Sequence, residues 1–307
     1  MDKFVVSYSP FARSSNDINK MFIYTAIMLL LPIVFGCAFF GYQSIFVVLM
    51  AVAVSFLSEC LFNAITVHVF KVSDLSFLVT GLILGVTLPV KMPLYIVAVS
   101  AFVAVFVAKM VFGGLGKNKF NPALVGRLIA GIFASTLSIN LYALTMNGEE
   151  YISLSAGGEN TIVNLLTGNA VGGIGTTCII IIAIAYVFLV YMSVIDWKIP
   201  LFSAVAYFVV SLAIGGVENA VLNILSGSFL FVAVFMMTDP NTSPNTFLGK
   251  LLYSILFGGL SALVWNMGKL GEDTVFAVAL FVDMLVPFMD KYLVVKQKPL
   301  GGYRNAH

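Results

Sequence analysis

Gly113-Gly114-Leu115-Gly116-Lys117-Asn118-Lys119-Phe120-Asn121-Pro122-Ala123-Leu124-Val125-Gly126-Arg127 is a turn-rich, basic stretch set between two apolar runs. Proline is accepted at the first position of a helix, where its missing N–H would be unpaired anyway. The stretch therefore reads as a loop opening into a helix at Asn121-Pro122. Thr238-Asp239-Pro240-Asn241-Thr242-Ser243-Pro244-Asn245-Thr246-Phe247-Leu248-Gly249-Lys250 has the same order of turn residues, proline and a Gly-basic pair. A helix start with free N–H groups and a basic residue about a turn further on suits a phosphate. It is equally how many membrane helices begin. The echo between the two stretches suggests an internal repeat of the kind found in transporters.

Outward from these two loops the chain is apolar in blocks. A membrane-crossing helix needs about 20 apolar residues. Ten candidate runs follow: 21–41, 45–67, 75–90, 93–113, 121–146, 175–195, 199–216, 219–238, 248–267 and 274–294. The third is short, holds Gly81 and Gly85 and ends in Thr87-Leu88-Pro89, which predicts a broken or partial helix enclosed by protein. Composition agrees with the blocks. Of the 307 residues 60% are hydrophobic and 10% charged, against about 45–50% and about 25% in soluble domains. Mean hydropathy is +1.04. The reading is an all-α polytopic membrane protein.

The same composition excludes other classes. A net charge of +2 gives no field for nucleic acid. Cys37, Cys60 and Cys178 are scattered, and His68 and His307 are the two histidines. An iron–sulfur cluster, a structural zinc or a haem held by this chain alone is not expected. The first apolar run follows Lys3, Arg13 and Lys20 and lacks an A-x-A cleavage site, so it reads as a retained span.

Lys and Arg set the orientation. With ten alternating spans and an inner N-terminus, fourteen of the sixteen basic residues fall inside and only Lys91 and Lys269 outside. Both termini are then cytoplasmic: segment 1–20, a single membrane domain over 21–294, and a tail over 295–307. The longest connection, 147–174, lies outside and carries Glu149, Glu150 and Glu159 with no basic residue.

Charges inside spans need a reason, since each costs roughly 3 kcal/mol or more at mid-bilayer. Glu59 lies deep in the second run and Asp283 interrupts the last. Either carboxyl could serve packing or an ion pathway. Asp74 is placed to cap the third helix or to join that pathway. Arg127 could snorkel to the inner interface or offer its guanidinium fork to a phosphate.

At these motifs the chain resembles the D-subunit family of the Rnf complex, the membrane ferredoxin–NAD oxidoreductase. More distantly it resembles the B subunit of the sodium-pumping NADH–quinone reductase. The resemblance is carried by Asp74-Leu75-Ser76-Phe77-Leu78-Val79-Thr80-Gly81-Leu82 through Thr87-Leu88-Pro89 and by the Gly113–Arg127 stretch. Gly168-Asn169 with Gly173-Ile174-Gly175, Asp196-Trp197-Lys198-Ile199-Pro200, Thr238-Asp239-Pro240 with Ser243-Pro244, and Leu285-Val286-Pro287-Phe288-Met289-Asp290 complete it. It implies ten helices in two inverted five-helix halves, like urea and ammonium transporters. It implies a flavin-carrying subunit of an ion-translocating complex with Rnf subunits A, B, C, E and G, in the cell (cytoplasmic) membrane. It places flavin contacts at Asn121, Pro122, Arg127, Thr238, Asp239 and Ser243, with Glu59, Asp74 and Asp283 on an ion pathway.

One family feature is missing. Many members carry Asp-x-x-Thr/Ser-Gly-Ala-Thr in the outer loop, whose last Thr is esterified to FMN. In register, Ala156 falls on that acceptor and has no hydroxyl. Ser153, Ser155 and Thr161 are nearby hydroxyls outside the motif, Ser155 and Thr161 being the fallback acceptors. Leu154 stands where the motif has its free glycine, and Gly175-Thr176-Thr177 replaces a family Gly-Glu-Thr. The resemblance then implies FMN, or riboflavin, held non-covalently. The rival reading is a secondary transporter or channel for a small solute, with Glu59 and Asp283 on its pathway.

Overall fold

The computed structural model describes residues 18–66, 68, 72, 74–137, 145–146, 149–150, 161–168, 172–225, 228–267 and 273–293. Its helices are α1 (Ile18–Phe40), α2 (Gln43–Thr66), α3 (Ser76–Thr87), α4 (Leu94–Phe102, continuing as a π-helix over Val103–Met110) and α5 (Pro122–Thr136). They continue as α6 (Thr161–Thr167), α7 (Ile179–Tyr191), α8 (Lys198–Leu225), α9 (Phe229–Phe231, continuing as a π-helix over Val232–Met236), α10 (Phe247–Asn266) and α11 (Asp273–Tyr292). A two-residue antiparallel ladder joins Thr145–Met146 to Glu149–Glu150. The molecule is all-helical in architecture. Four described helices are long and apolar enough to cross a membrane: α1, α2, α8 and α10.

Several expected runs end early, each for a local reason. The run over 219–238 is interrupted: Gly216 at φ +79° kinks α8, which stops at Leu225, and helix resumes at Phe229. The run over 121–146 is helical only to Thr136, with Leu137 a turn. The third run is short but unbroken. Gly81 and Gly85 do not break α3; they let it lie on α2, where an added Cβ would sit 2.8 Å from Val52 Cα and 2.9 Å from Val48 Cα.

In a bilayer the apolar faces can point outward, and close helix packing needs small residues instead. Val34, Val187 and Val209 are exposed, while Ser100, Ser203 and Ser254 are buried. Those three hydroxyls donate to carbonyls four residues back, at 2.7, 2.8 and 2.7 Å, so none of the three is stranded. α8 and α10 approach closely: a Cβ at Gly258 would lie 2.2 Å from Ser203 O. Gly258→Ala is expected to cost about 2–3 kcal/mol through overpacking. A melt of the purified protein in detergent checks this; an unchanged midpoint contradicts the close packing.

Because α3 has only 12 residues, its C-terminus falls inside the protein, where unpaired carbonyls are costly. All three carbonyls at that end find donors from elsewhere. Gly175 N–H donates to Val86 O at 2.9 Å and Ile174 N–H to Leu88 O at 3.0 Å. Arg127 Nε donates to Thr87 O at 3.1 Å. The turn around Gly173 fits only because glycine is there: a Cβ would lie 2.5 Å from Thr87 O.

Candidate functional site: a polar cleft between helix ends

Both turn-rich loops follow a π-helix and open into a capped helix. Asn121 is the N-cap of α5; its Oδ1 accepts from Ala123 N–H at 3.0 Å, and Pro122 takes the first helical position. Thr246, not Pro244, caps α10, accepting from Gly249 N–H at 3.0 Å. The Asn121 amide also donates to Met236 O, at the end of the second π-helix, at 3.0 Å. That bond ties the two loops together.

Between them lies an open cleft, about 750 Å³ of empty space when its solvent-filled mouth is included. Its polar wall comprises Ser76, Thr80, Lys109, Asn118, Asn121, Thr238 and Asp239. Its apolar wall includes Val79, Ile83, Leu189, Val234 and Phe235. Two buried oxygens on the polar wall, Ser76 Oγ and Asn118 Oδ1, have no hydrogen-bond partner among the described residues. Buried polar atoms left so are costly unless a ligand or water meets them. Asp239 sits in the turn after the π-helix; desolvation raises its carboxyl, partly offset by hydrogen bonding to Asn241.

Two clusters flank the cleft. On one side Lys109 Nζ lies 2.6 Å from Glu59 Oε2 and 3.3 Å from Asp74 Oδ1. Glu59 and Lys109 are buried, and Asp74 nearly so. Asp74 also accepts from Ser76 N–H at 2.8 Å, so it serves the start of α3 from one position before the cap. On the other side Asp283, fully buried, accepts from Tyr253 Oη at 2.5 Å and from Asn121 N–H at 3.3 Å. Glu59 and Asp74 thus belong together, and Asp283 is apart from them.

Of the residues singled out from sequence, Asn121, Pro122, Thr238 and Asp239 line the cleft; Ser243 and Arg127 do not. Arg127, 1% exposed, turns to Asp273 at 2.5 Å and stacks 4.7 Å from the Phe276 ring. The α5 N–H groups expected to meet a phosphate are taken by Asn121 Oδ1 and Asp283 Oδ2. Ala156 and Ser155 lie outside the described residues, and Thr161 begins α6. Sequence reading missed Lys109, Ser76, Asn118, Tyr253 and Asp273. It also missed a repeat in plain view: Thr87-Leu88-Pro89-Val90-Lys91-Met92-Pro93 and Thr238-Asp239-Pro240-Asn241-Thr242-Ser243-Pro244 share T-x-P-x-x-x-P, each just after a helix ends.

The fold and cleft define a polytopic helical membrane protein whose polar chemistry is gathered at helix ends within the bundle. The model of the NQR2, RnfD, RnfE family matches residues 5–299, and the chain belongs to that family. It is 27% identical to the D subunit of the proton-translocating ferredoxin:NAD(+) oxidoreductase complex of Clostridium ljungdahlii, with 94% of each chain covered. It is 28% identical to the D subunit of the Na(+)-translocating ferredoxin:NAD(+) oxidoreductase complex of Acetobacterium woodii, covering 94% of this chain and 92% of that protein. The D subunit of the ion-translocating oxidoreductase complex of Erwinia tasmaniensis is 26% identical, with 99% of each chain covered.

Proposed function

We propose that this chain is the D-type membrane subunit of an Rnf-type complex, coupling electron transfer between ferredoxin and NAD to movement of Na+ or H+. It works with Rnf subunits A, B, C, E and G in the cytoplasmic membrane, with both termini inside. The chain is one part of that translocase. Its fold on this reading is ten spans in two inverted halves. Two observations support the halves: the T-x-P-x-x-x-P match, and a reciprocal contact. Asn121 at the start of α5 reaches the carbonyl ending α9; Asp273 at the start of α11 holds Arg127, which reaches the carbonyl ending α3.

Within the complex the chain holds a flavin non-covalently in the cleft. The observation that carries this is the pair of orphaned oxygens, Ser76 Oγ and Asn118 Oδ1, on a cleft that apolar side chains also line. A hydroxyl that donates or accepts and an amide oxygen that accepts suit the polar edge of a flat heteroaromatic ring. Val79, Ile83 and Phe235 would lie against the ring faces; Ser76 and Asn118 would meet its edge atoms. A bound flavin supplies one- and two-electron transfer. The chain's residues orient it, exclude water from its faces, and set the charge beside it through Lys109 and Asp239. Asp239 is the carboxylate among the cleft's described lining residues, so an FMN phosphate would sit away from it, and riboflavin would fit without one.

Asn118→Leu together with Ser76→Ala is expected to lower flavin content of the assembled complex at least about tenfold, as loss of two buried hydrogen bonds implies. Ferredoxin-dependent NAD reduction should fall in parallel. Extraction of flavin from purified variant complex checks it; wild-type content moves the flavin elsewhere. A colourless complex whose isolated chain carries solute across vesicles would instead support the transporter reading.

A further inference from the structure

The turn between α7 and α8 is fixed from three sides. Asp196 Oδ1 accepts from Lys198 N–H at 3.2 Å, and Asp196 Oδ2 meets Lys250 Nζ, from the start of α10, at 2.7 Å. The Tyr186 hydroxyl donates to Trp197 O at 3.0 Å. These bonds set the backbone of Trp197 and Lys198 and use neither side chain. Among the described residues the Trp197 indole N–H and the Lys198 ammonium have no hydrogen-bond partner; the ammonium stands 5.4 Å from the centre of the Phe247 ring. Trp197 is 46% exposed and Phe247 55%. One carboxylate, Asp196, lies within electrostatic reach of both lysines, so the turn carries one positive charge in excess. Trp and Lys are the side chains that settle at the headgroup level of a bilayer, and the basic bias of the chain puts this turn on the inner side.

Lys198 also heads a stripe on α8. Leu201, Val205 and Val209 follow it at spacings of three and four residues, which puts them on one helix face, and all three are exposed. From Lys198 to Val209 the helix rises about 16 Å, close to the roughly 15 Å of hydrocarbon in one leaflet. We propose that the Trp197–Lys198 turn seats one anionic phospholipid of the inner leaflet. Its phosphate meets the Lys198 ammonium and the Trp197 indole N–H, and an acyl chain lies along Leu201, Val205 and Val209. The excess charge of the turn favours an anionic headgroup, whereas a zwitterionic one brings its own cation to the phosphate and gains less. The seat borders the cleft, because Val194 and Ile195, the two residues before Asp196, line the cleft wall. An occupied seat pins the turn that carries them. The seat needs no ligand in the cleft, so it stands or falls apart from the flavin.

The test is a titration of radiolabelled phosphatidylglycerol onto the purified, delipidated complex in detergent, beside phosphatidylcholine of the same acyl chains. The wild-type complex should bind phosphatidylglycerol more tightly. Lys198→Gln should raise the half-saturating concentration of phosphatidylglycerol at least about fivefold, the share of one cation at a membrane surface, and leave phosphatidylcholine where it was. Trp197→Phe keeps an aromatic ring at the interface and loses the N–H, so it should weaken phosphatidylglycerol as well. Equal affinity of the wild type for the two lipids overturns the proposal. Wild-type affinity for phosphatidylglycerol in either variant overturns it too, and that is the result expected if a partner subunit covers the turn or if Trp197 only marks the interface. Inorganic phosphate should not displace the lipid, since the acyl chain holds it; displacement would show a plain anion site and no lipid seat. Should Lys198→Gln not assemble, Trp197→Phe decides on the same titration.

Discussion

Arg127→Met is expected to stop the protein from reaching a stable assembled state. Arg127 is 1% exposed and joins three elements: Asp273 at the start of α11, the Thr87 carbonyl at the end of α3, and the Phe276 ring. Asp273 keeps 35% of its side chain exposed, so losing its cation costs less than the roughly 3–5 kcal/mol of a wholly buried pair. The Thr87 carbonyl loses its Arg127 donor as well, at about 1–3 kcal/mol. Together these are a large share of a total stability of about 5–15 kcal/mol. Arg127→Lys keeps the charge but loses the fork that serves Asp273 and Thr87 together, so partial recovery is expected. Size-exclusion profile and melting midpoint of the complex read both variants. Wild-type values for Arg127→Met contradict the role of this contact as the join between α3, α5 and α11. Because Arg127 does not line the cleft, flavin per assembled Arg127→Lys subunit should stay at the wild-type level.

Glu59→Gln is expected to assemble normally yet lower ion transport per electron at least about tenfold, a change of about 1.4 kcal/mol in the coupling step. Glutamine keeps an oxygen for Lys109, which also retains Asp74 at 3.3 Å, so the fold loses little. It gives up the negative charge, and with it any grip on a cation. The measurement is ion uptake into vesicles bearing the complex, set against NAD reduced in the same sample. Wild-type coupling would return Glu59 to a packing role.

The helical blocks were legible because apolar runs of membrane length, repeated along a chain, are rare outside membrane-crossing helices. The start of α5 was legible because Asn-Pro has a defined stereochemical meaning at a helix start. Gly81 and Gly85 left a broken and a partial helix both open, and α3 is partial and unbroken: composition alone does not say whether a glycine bends a helix or lets a neighbour approach. Lys109 was counted among the inner-side basic residues because it stands near the end of its run. Its partner Glu59 is fifty residues away, and only the packing of α4 on α2 brings them together. The pairing of Arg127 with Asp273 escaped notice for the same reason. The T-x-P-x-x-x-P repeat was readable from the start. It was overlooked because the louder match, proline followed by Gly-basic, compared two helix starts instead of two helix ends.

The central claim is that this subunit carries a flavin without a covalent bond. At the position in register with the family's acceptor stands Ala156, whose methyl cannot form a phosphoester. The most direct measurement is flavin fluorescence of the purified subunit before and after denaturation, in solution and on a denaturing gel. The account predicts flavin in the native subunit, its full release on unfolding, and no fluorescent band at the subunit's position. A subunit without flavin, or a band that survives denaturation and disappears on replacing Ser155 or Thr161, would contradict it.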